Sequence, residues 1–166
     1  MKNIILPAVI AMTPFMTQTS FAQADSGALS EVVEQCFANT DWQELAPDCV
    51  GAASDECQAL PGGSTTVGMM ECGMGEQKVW QVVLDREVEE TRKWIAEGDK
   101  INEGSFPAVA PDFDAAQAAW GAFRDSDCQL VSNIHQSGTI RSLYFASCML
   151  EETSRRAFYL RRLRHP

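Results

Sequence analysis

Past the first sixty residues, apolar side chains recur at spacings of three and four, the signature of helices that bury one face. From Ser64 to about Glu97 the stripe is Met69, Cys72, Glu76, Val79, Val83, Val88, Thr91 and Ile95, widened by Trp80, Leu84 and Trp94. Gly68, Gly73 and Gly75 interrupt it. Each costs about 1 kcal/mol relative to alanine inside a helix, so the first turns are expected to kink or to pack closely on another backbone. Gly98-Asp99 and the two-proline stretch 104–111 end this helix. Asp112 is placed to cap a second one, with Phe113, Ala116, Trp120, Phe123, Cys128 and Val131 inward, fading near His135. After Gln136-Ser137-Gly138, Thr139 is placed to cap a third, with Ile140, Leu143, Tyr144, Cys148, Leu150, Ala157, Leu160 and Leu163 inward. The predicted fold is all-α: an α-helical hairpin from Asp112 to Arg164 packed on the long helix from Ser64, all three stripes sharing one core.

The first part of the chain follows other rules. Residues 1–24 carry one lysine, an apolar run from Ile4 to Met16, and Ala22-Gln23-Ala24 as a small-residue cleavage site. That pattern predicts a signal peptide cut after Ala24, since a run of about 13 residues is too short to span a bilayer. No cysteine follows the cut to carry a lipid, so an unanchored periplasmic or secreted protein is expected. Residues 25–63 read as a turn-rich region with two short helices, Leu29 to Ala38 and Pro47 to Ala59, closed by the turn Pro61-Gly62-Gly63. The expected organisation is therefore a signal peptide (1–24), a cysteine-containing N-terminal region (25–63) and a helical domain (64–166).

Export changes how the six cysteines read, because an even number in an oxidising compartment favours disulfides. Gly138 lies midway between Cys128 and Cys148, which brings that pair level across the hairpin. Cys36, Cys49, Cys57 and Cys72 allow three pairings; Cys36 with Cys49 and Cys57 with Cys72 are the shortest closures and are favoured for that reason. Zinc is disfavoured by the lack of any C-x-x-C pair, and neither a metal nor a cofactor is expected.

Of the net charge of -10, nearly all sits at the front. Between Asp25 and Gln77 there are ten acids and no Lys or Arg, whereas from Lys78 onward thirteen acids face twelve bases. Phosphates would be repelled by that region, which argues against nucleic acid; a basic protein would be attracted.

The last two helices carry an ordered string: Gln117 and Trp120 in Ala-Gln-Ala-Ala-Trp, then Phe123-Arg124-Asp125, Cys128, a glycine turn, Cys148, and Thr153 with Arg156. This resembles the LprI-type lysozyme-inhibitor domain, also called DUF1311. Met69-Met70-Glu71-Cys72 is similar to that family's opening cysteine motif, and the run from Pro61 to Gly68 resembles the entry to the long helix in periplasmic members. The likeness covers about residues 57 to 163. It implies an all-α exported bacterial domain and, from the founding member, lysozyme inhibition. The founding type is a lipoprotein, from which this chain departs.

Structural readings are preferred for most of these residues. Arg124 and Asp125 are helical neighbours about 100 degrees apart, too divergent to act as one cluster, and Arg124 is expected to bond carbonyls or an acid on another helix. Trp120 and Phe123 are assigned to the core. The Gly-rich entry 61–66 reads as turn plus cap rather than an anion site, since no P-loop lysine follows. The basic tail, Arg161, Arg162, Arg164 and His165, complements a helix C-terminus, with Glu151 and Glu152 pairing Arg155 and Arg156 at i,i+4. No G-x-S-x-G, H-E-x-x-H or comparable constellation appears, so no enzyme is expected. The surface expected to matter is the acidic one, with Asp41, Glu44, Asp48, Asp55 and Glu56 binding a basic lysozyme or another cationic envelope protein. An envelope accessory module without a lysozyme-related role is the alternative.

Overall fold

The longest element takes its shape from the stripe that the sequence displays. The computed structural model describes residues 26–136 and 138–165; the expected signal peptide and Ser137 of the hairpin turn lie outside them. Five helices follow in order: α1 (Ser26–Asn39), α2 (Ala52–Gln58), α3 (Thr66–Ile101), α4 (Ala110–Ile134) and α5 (Ile140–Leu163), with no strand among the described residues. The all-α architecture is the expected one. α3 buries Cys72, Gly73, Glu76, Gln77, Trp80, Val83, Leu84, Glu87, Thr91 and Ile95 along one face. Against it α5 buries Ala146, Met149, Leu150, Thr153, Ser154, Ala157, Phe158 and Leu160. These two helices share the largest interface, α1 and α2 cover the first half of α3, and α4 leans mainly on α5.

The centre of the core is aromatic. Trp80, Phe158 and Phe37 lie with ring centroids 5.2 to 6.2 Å apart in tilted and edge-on pairs, the geometry that the ring quadrupole favours. Two glycine positions explain how the helix entry fits. A Cβ on Gly68 would stand 2.2 Å from the Gly62 carbonyl oxygen, and one on Gly63 would stand 2.5 Å from that of Cys57. The entry is a turn plus cap as expected: Thr65 is the N-cap, and its hydroxyl accepts the Gly68 N–H at 3.0 Å.

Three disulfides staple the frame: Cys36–Cys49, Cys57–Cys72 and Cys128–Cys148, with Cα separations of 5.7, 5.6 and 5.4 Å. They are the pairs favoured from hairpin symmetry and short closure. The second ties α2 to α3, and the third joins α4 to α5.

Several local expectations are corrected. The helix expected from Pro47 to Ala59 begins only at Ala52, because Gly51, at φ +102°, ends the preceding turn in the left-handed region. Asp112 is not the cap of α4. That helix starts at Ala110, and the carboxylate of Asp99 reaches over from α3 to accept the N–H groups of Val109 and Ala110 at 2.8 and 3.0 Å. Thr139 stands at the N-cap of α5 without a side-chain cap bond; its carbonyl instead accepts the Ser142 N–H and hydroxyl. Phe123 is 56% exposed rather than core, and Trp94, Ile140, Tyr144 and Leu163 are also exposed. α4 packs chiefly on one neighbour, so its stripe is only half covered.

Candidate protein-binding surface

The acidic N-terminal region forms a fixed loop. α1 ends at Asn39, and the chain then turns through Thr40 to Gly51 before entering α2. The Cys36–Cys49 disulfide closes this loop at its base. An open hollow of about 500 Å³ lies here, lined by Asp41, Glu44 and Asp48 together with Cys36, Cys49, Thr40 and neighbouring residues. All three carboxylates are exposed. Asp41 also orders its own turn, accepting the Gln43 N–H at 2.8 Å. Asp55 and Glu56 stand exposed on α2, outside the lining. Among the described residues none of these five acids is in a salt bridge. Their charge faces solvent, with the Arg161 guanidinium close enough to Asp41 to feel its charge.

Two groups hold the loop in place, the half-buried Arg161 and the buried Glu76, and sequence reasoning missed the role of both. Arg161 of α5 lies over the rings of Phe37 and Phe158, centroids 4.4 and 5.1 Å away. Its guanidinium donates to the carbonyls of Phe37, Thr40 (2.9 Å) and Asp41 (3.3 Å). The cation thus complements the C-terminus of α1, where carbonyls are left unpaired, rather than that of its own helix. Burial pulls its pKa below the usual arginine value, yet arginine stays charged at any physiological pH.

Glu76 is the second anchor. It is 1% exposed, and no Lys, Arg or His pairs with it among the described residues. Oε1 accepts the Gly51 N–H at 2.8 Å and the Trp80 indole N–H at 3.0 Å; Oε2 accepts the Ser54 N–H at 2.7 Å. The two backbone donors belong to the start of α2, so a carboxylate from α3 does the work of an N-cap there, while Trp80 holds it from its own helix. An acid on an apolar stripe was the available signal. The basic tail does more than complement its helix end: Arg164 pairs with buried Glu87 and donates to Thr91 Oγ1 at 2.7 Å, and neither expected i,i+4 pair is formed among the described residues. Arg155 meets Glu152 at i,i+3, and Glu151 accepts the Ser147 hydroxyl.

The string shared by the last two helices builds one network. Trp120 carries the guanidinium of Arg124 at 5.1 Å and that of Arg156 at 5.4 Å from its ring. Arg156 donates twice to Gln117 Oε1, at 2.8 and 2.6 Å. Its pKa lies below the usual arginine value because it is partly buried. Arg124 donates to Gln81 Oε1 at 2.9 Å and to Thr153 Oγ1 at 3.4 Å, which also accepts from Gln77. Arg124 and Asp125 do meet, at 2.8 Å, because the long arginine side chain curls around the helix. The partner of Arg124 on α3 is an amide oxygen, not an acid. Gln117, Trp120, Arg124, Thr153 and Arg156 therefore cement α4 and α5 to α3.

Fold and surface together define an all-helical, disulfide-stapled protein with an unpaired acidic loop and, among the described residues, no cluster of His, Cys, Asp and Glu able to hold a metal. No described helix is long and apolar enough to cross a membrane. The family model for lysozyme inhibitor LprI matches residues 57–160, more than half of the chain, and the chain belongs to that family. A search of curated proteins found no match, and a search of solved structures found none. The matched segment contains Cys57–Cys72, Cys128–Cys148, Glu76 and the tryptophan–arginine network. The acidic loop, Cys36–Cys49 and Arg161 fall outside it.

Proposed function

We propose that this protein is an exported, non-catalytic inhibitor that binds a basic lysozyme of the chicken type through its acidic N-terminal region and obstructs access to the enzyme's cleft. Membership of the LprI family supports the class of target, and the three disulfides accord with folding outside the cytoplasm. The observation that carries the reading is the hollow lined by Asp41, Glu44 and Asp48, with Asp55 and Glu56 beyond it, all exposed and none in a salt bridge among the described residues. Exposed carboxylates that form no salt bridge, on a loop tied by a disulfide, attract a cation at long range and lose little freedom on binding. In this reading residues 25–63 are the partner-facing region and residues 64–166 the scaffold, with the mature chain beginning at Asp25 in the periplasm or medium.

A cell-wall clearing assay with purified mature protein and chicken-type lysozyme at low salt tests this. Inhibition at micromolar excess is expected, weakened when the five acids are changed to their amides. Full lysozyme activity at that excess rules the function out. Inhibition that survives neutralisation rules out the acidic surface alone.

A further inference from the structure

The connection between α3 and α4 places large apolar side chains in water. Ile101 is 82% exposed and Phe106 72%, with Val109 and Trp94 also exposed nearby. Such side chains on a mobile loop would be ordinary, but this loop is held from within. Asp99 clamps its far end through the Val109 and Ala110 N–H groups. The Asn102 side chain donates to the Gly98 carbonyl at 2.8 Å, and the Asn102 carbonyl accepts the N–H groups of Ser105 and Phe106 at 2.9 and 3.3 Å. Gly104, at φ +78°, permits the tight reversal between them. The fold thus fixes an apolar tip outward.

Its electrostatic setting selects the partner. From Trp94 to Phe123 the chain carries five acids, Glu97, Asp99, Glu103, Asp112 and Asp114, against Lys100 as the one base, and of the five Asp114 is paired with Arg92 of α3. Glu97, Glu103 and Asp112 are exposed and in no salt bridge among the described residues. An anionic membrane surface or a second copy of this acidic chain would be repelled; a cationic protein with an apolar cleft would not. The tip also lies toward the same end as the acidic loop. Trp42 sits 6.3 Å from His165, beside Arg164, which bonds Thr91. The ten further residues of α3 to Ile101 advance about 15 Å.

We infer that the 101–109 loop is the apolar anchor of the interface with that cationic partner: the acidic hollow steers the encounter, and Ile101 and Phe106 enter the partner's cleft and hold it. This rests on the proposed function, and the two fail differently. The test measures association and dissociation of full-length mature protein with chicken-type lysozyme over a range of salt. Ile101→Ala/Phe106→Ala is expected to raise Kd tenfold or more, almost wholly through faster dissociation and with the same salt dependence. Asp41→Asn/Glu44→Gln/Asp48→Asn is expected to slow association and flatten that dependence. Both replaced side chains are exposed, so an unchanged melting temperature should confirm folding. Kd within twofold of wild type for the double variant overturns the anchor while leaving the inhibitor reading intact. No binding by wild type overturns both. A wild-type dimer in sedimentation that the double variant abolishes reassigns the loop to self-association and overturns the anchor.

Discussion

Replacing Glu76 by Gln tests the least expected feature of the fold, a buried carboxylate with no cation beside it. The change is nearly isosteric, so no cavity forms. In the native state three donors converge on the carboxylate, from Gly51, Ser54 and Trp80. A glutamine keeps one acceptor oxygen, and its NH₂ group must face at least one of those N–H groups. Leaving a buried donor unsatisfied costs about 1–3 kcal/mol, and converting a bond to a charged acceptor into a neutral one costs roughly 1 kcal/mol more. Against this, the amide is cheaper than a carboxylate to remove from water, as seen where buried charges are replaced without loss. The donors are fixed by the fold, so the loss wins, with an expected net of about 2 kcal/mol. For a chain of this size that is a fall in Tm of roughly 6 °C. Urea unfolding with the disulfides intact gives the number. Amide exchange should locate the loss at Gly51 and Ser54 ahead of the rest of α3. Glu71→Gln, exposed on the same helix, should stay within about 0.5 kcal/mol of wild type. Equal stability of Glu76→Gln and wild type would refute the capping role.

Two glycines should respond with opposite sign to alanine. Gly68→Ala drives a Cβ to 2.2 Å from the Gly62 oxygen and should lose about 2 kcal/mol or more, as overpacking against backbone does; Gly121→Ala meets nothing within 4 Å and should gain about 0.5–1 kcal/mol, both read by thermal unfolding. Arg161→Met removes three bonds, one to the last turn of α1 and two to the loop after it, and should cost about 2 kcal/mol, while lowering affinity for the basic partner by loosening the acidic loop. Replacing Cys128 and Cys148 together by serine should cost about 3 kcal/mol on the loop-entropy estimate, and an unchanged Tm would contradict the staple's energetic role.

Much of this architecture was legible because its rules are local. A three-four stripe marks a helix wherever it occurs, and residues equidistant from a turn oppose each other, so α3, the α4–α5 hairpin and the Cys128–Cys148 staple follow from spacing. The acidic loop was visible as composition, although only three of its five nominated acids line one hollow. What escaped were the contacts that join distant segments. Asp99 caps a helix eleven residues away, Glu76 caps one that precedes it, and Arg161 closes α1 from the far end of the chain. Periodicity carries no information on such partners. It also overstated burial on α4, because a stripe records what a helix is able to bury, and Phe123 has no neighbour to bury it. The Trp120 network was recognisable as a string, but its chemistry depends on two arginines arriving from different helices.

The association rate of the mature protein with chicken-type lysozyme as a function of ionic strength tests the central claim most directly. If the unpaired acids of the N-terminal loop steer the encounter, the rate should be fast at low salt and fall steeply as salt rises. Asp41→Asn/Glu44→Gln/Asp48→Asn should remove most of that slope. A rate independent of salt, or one unchanged by neutralising the three carboxylates, would contradict the account.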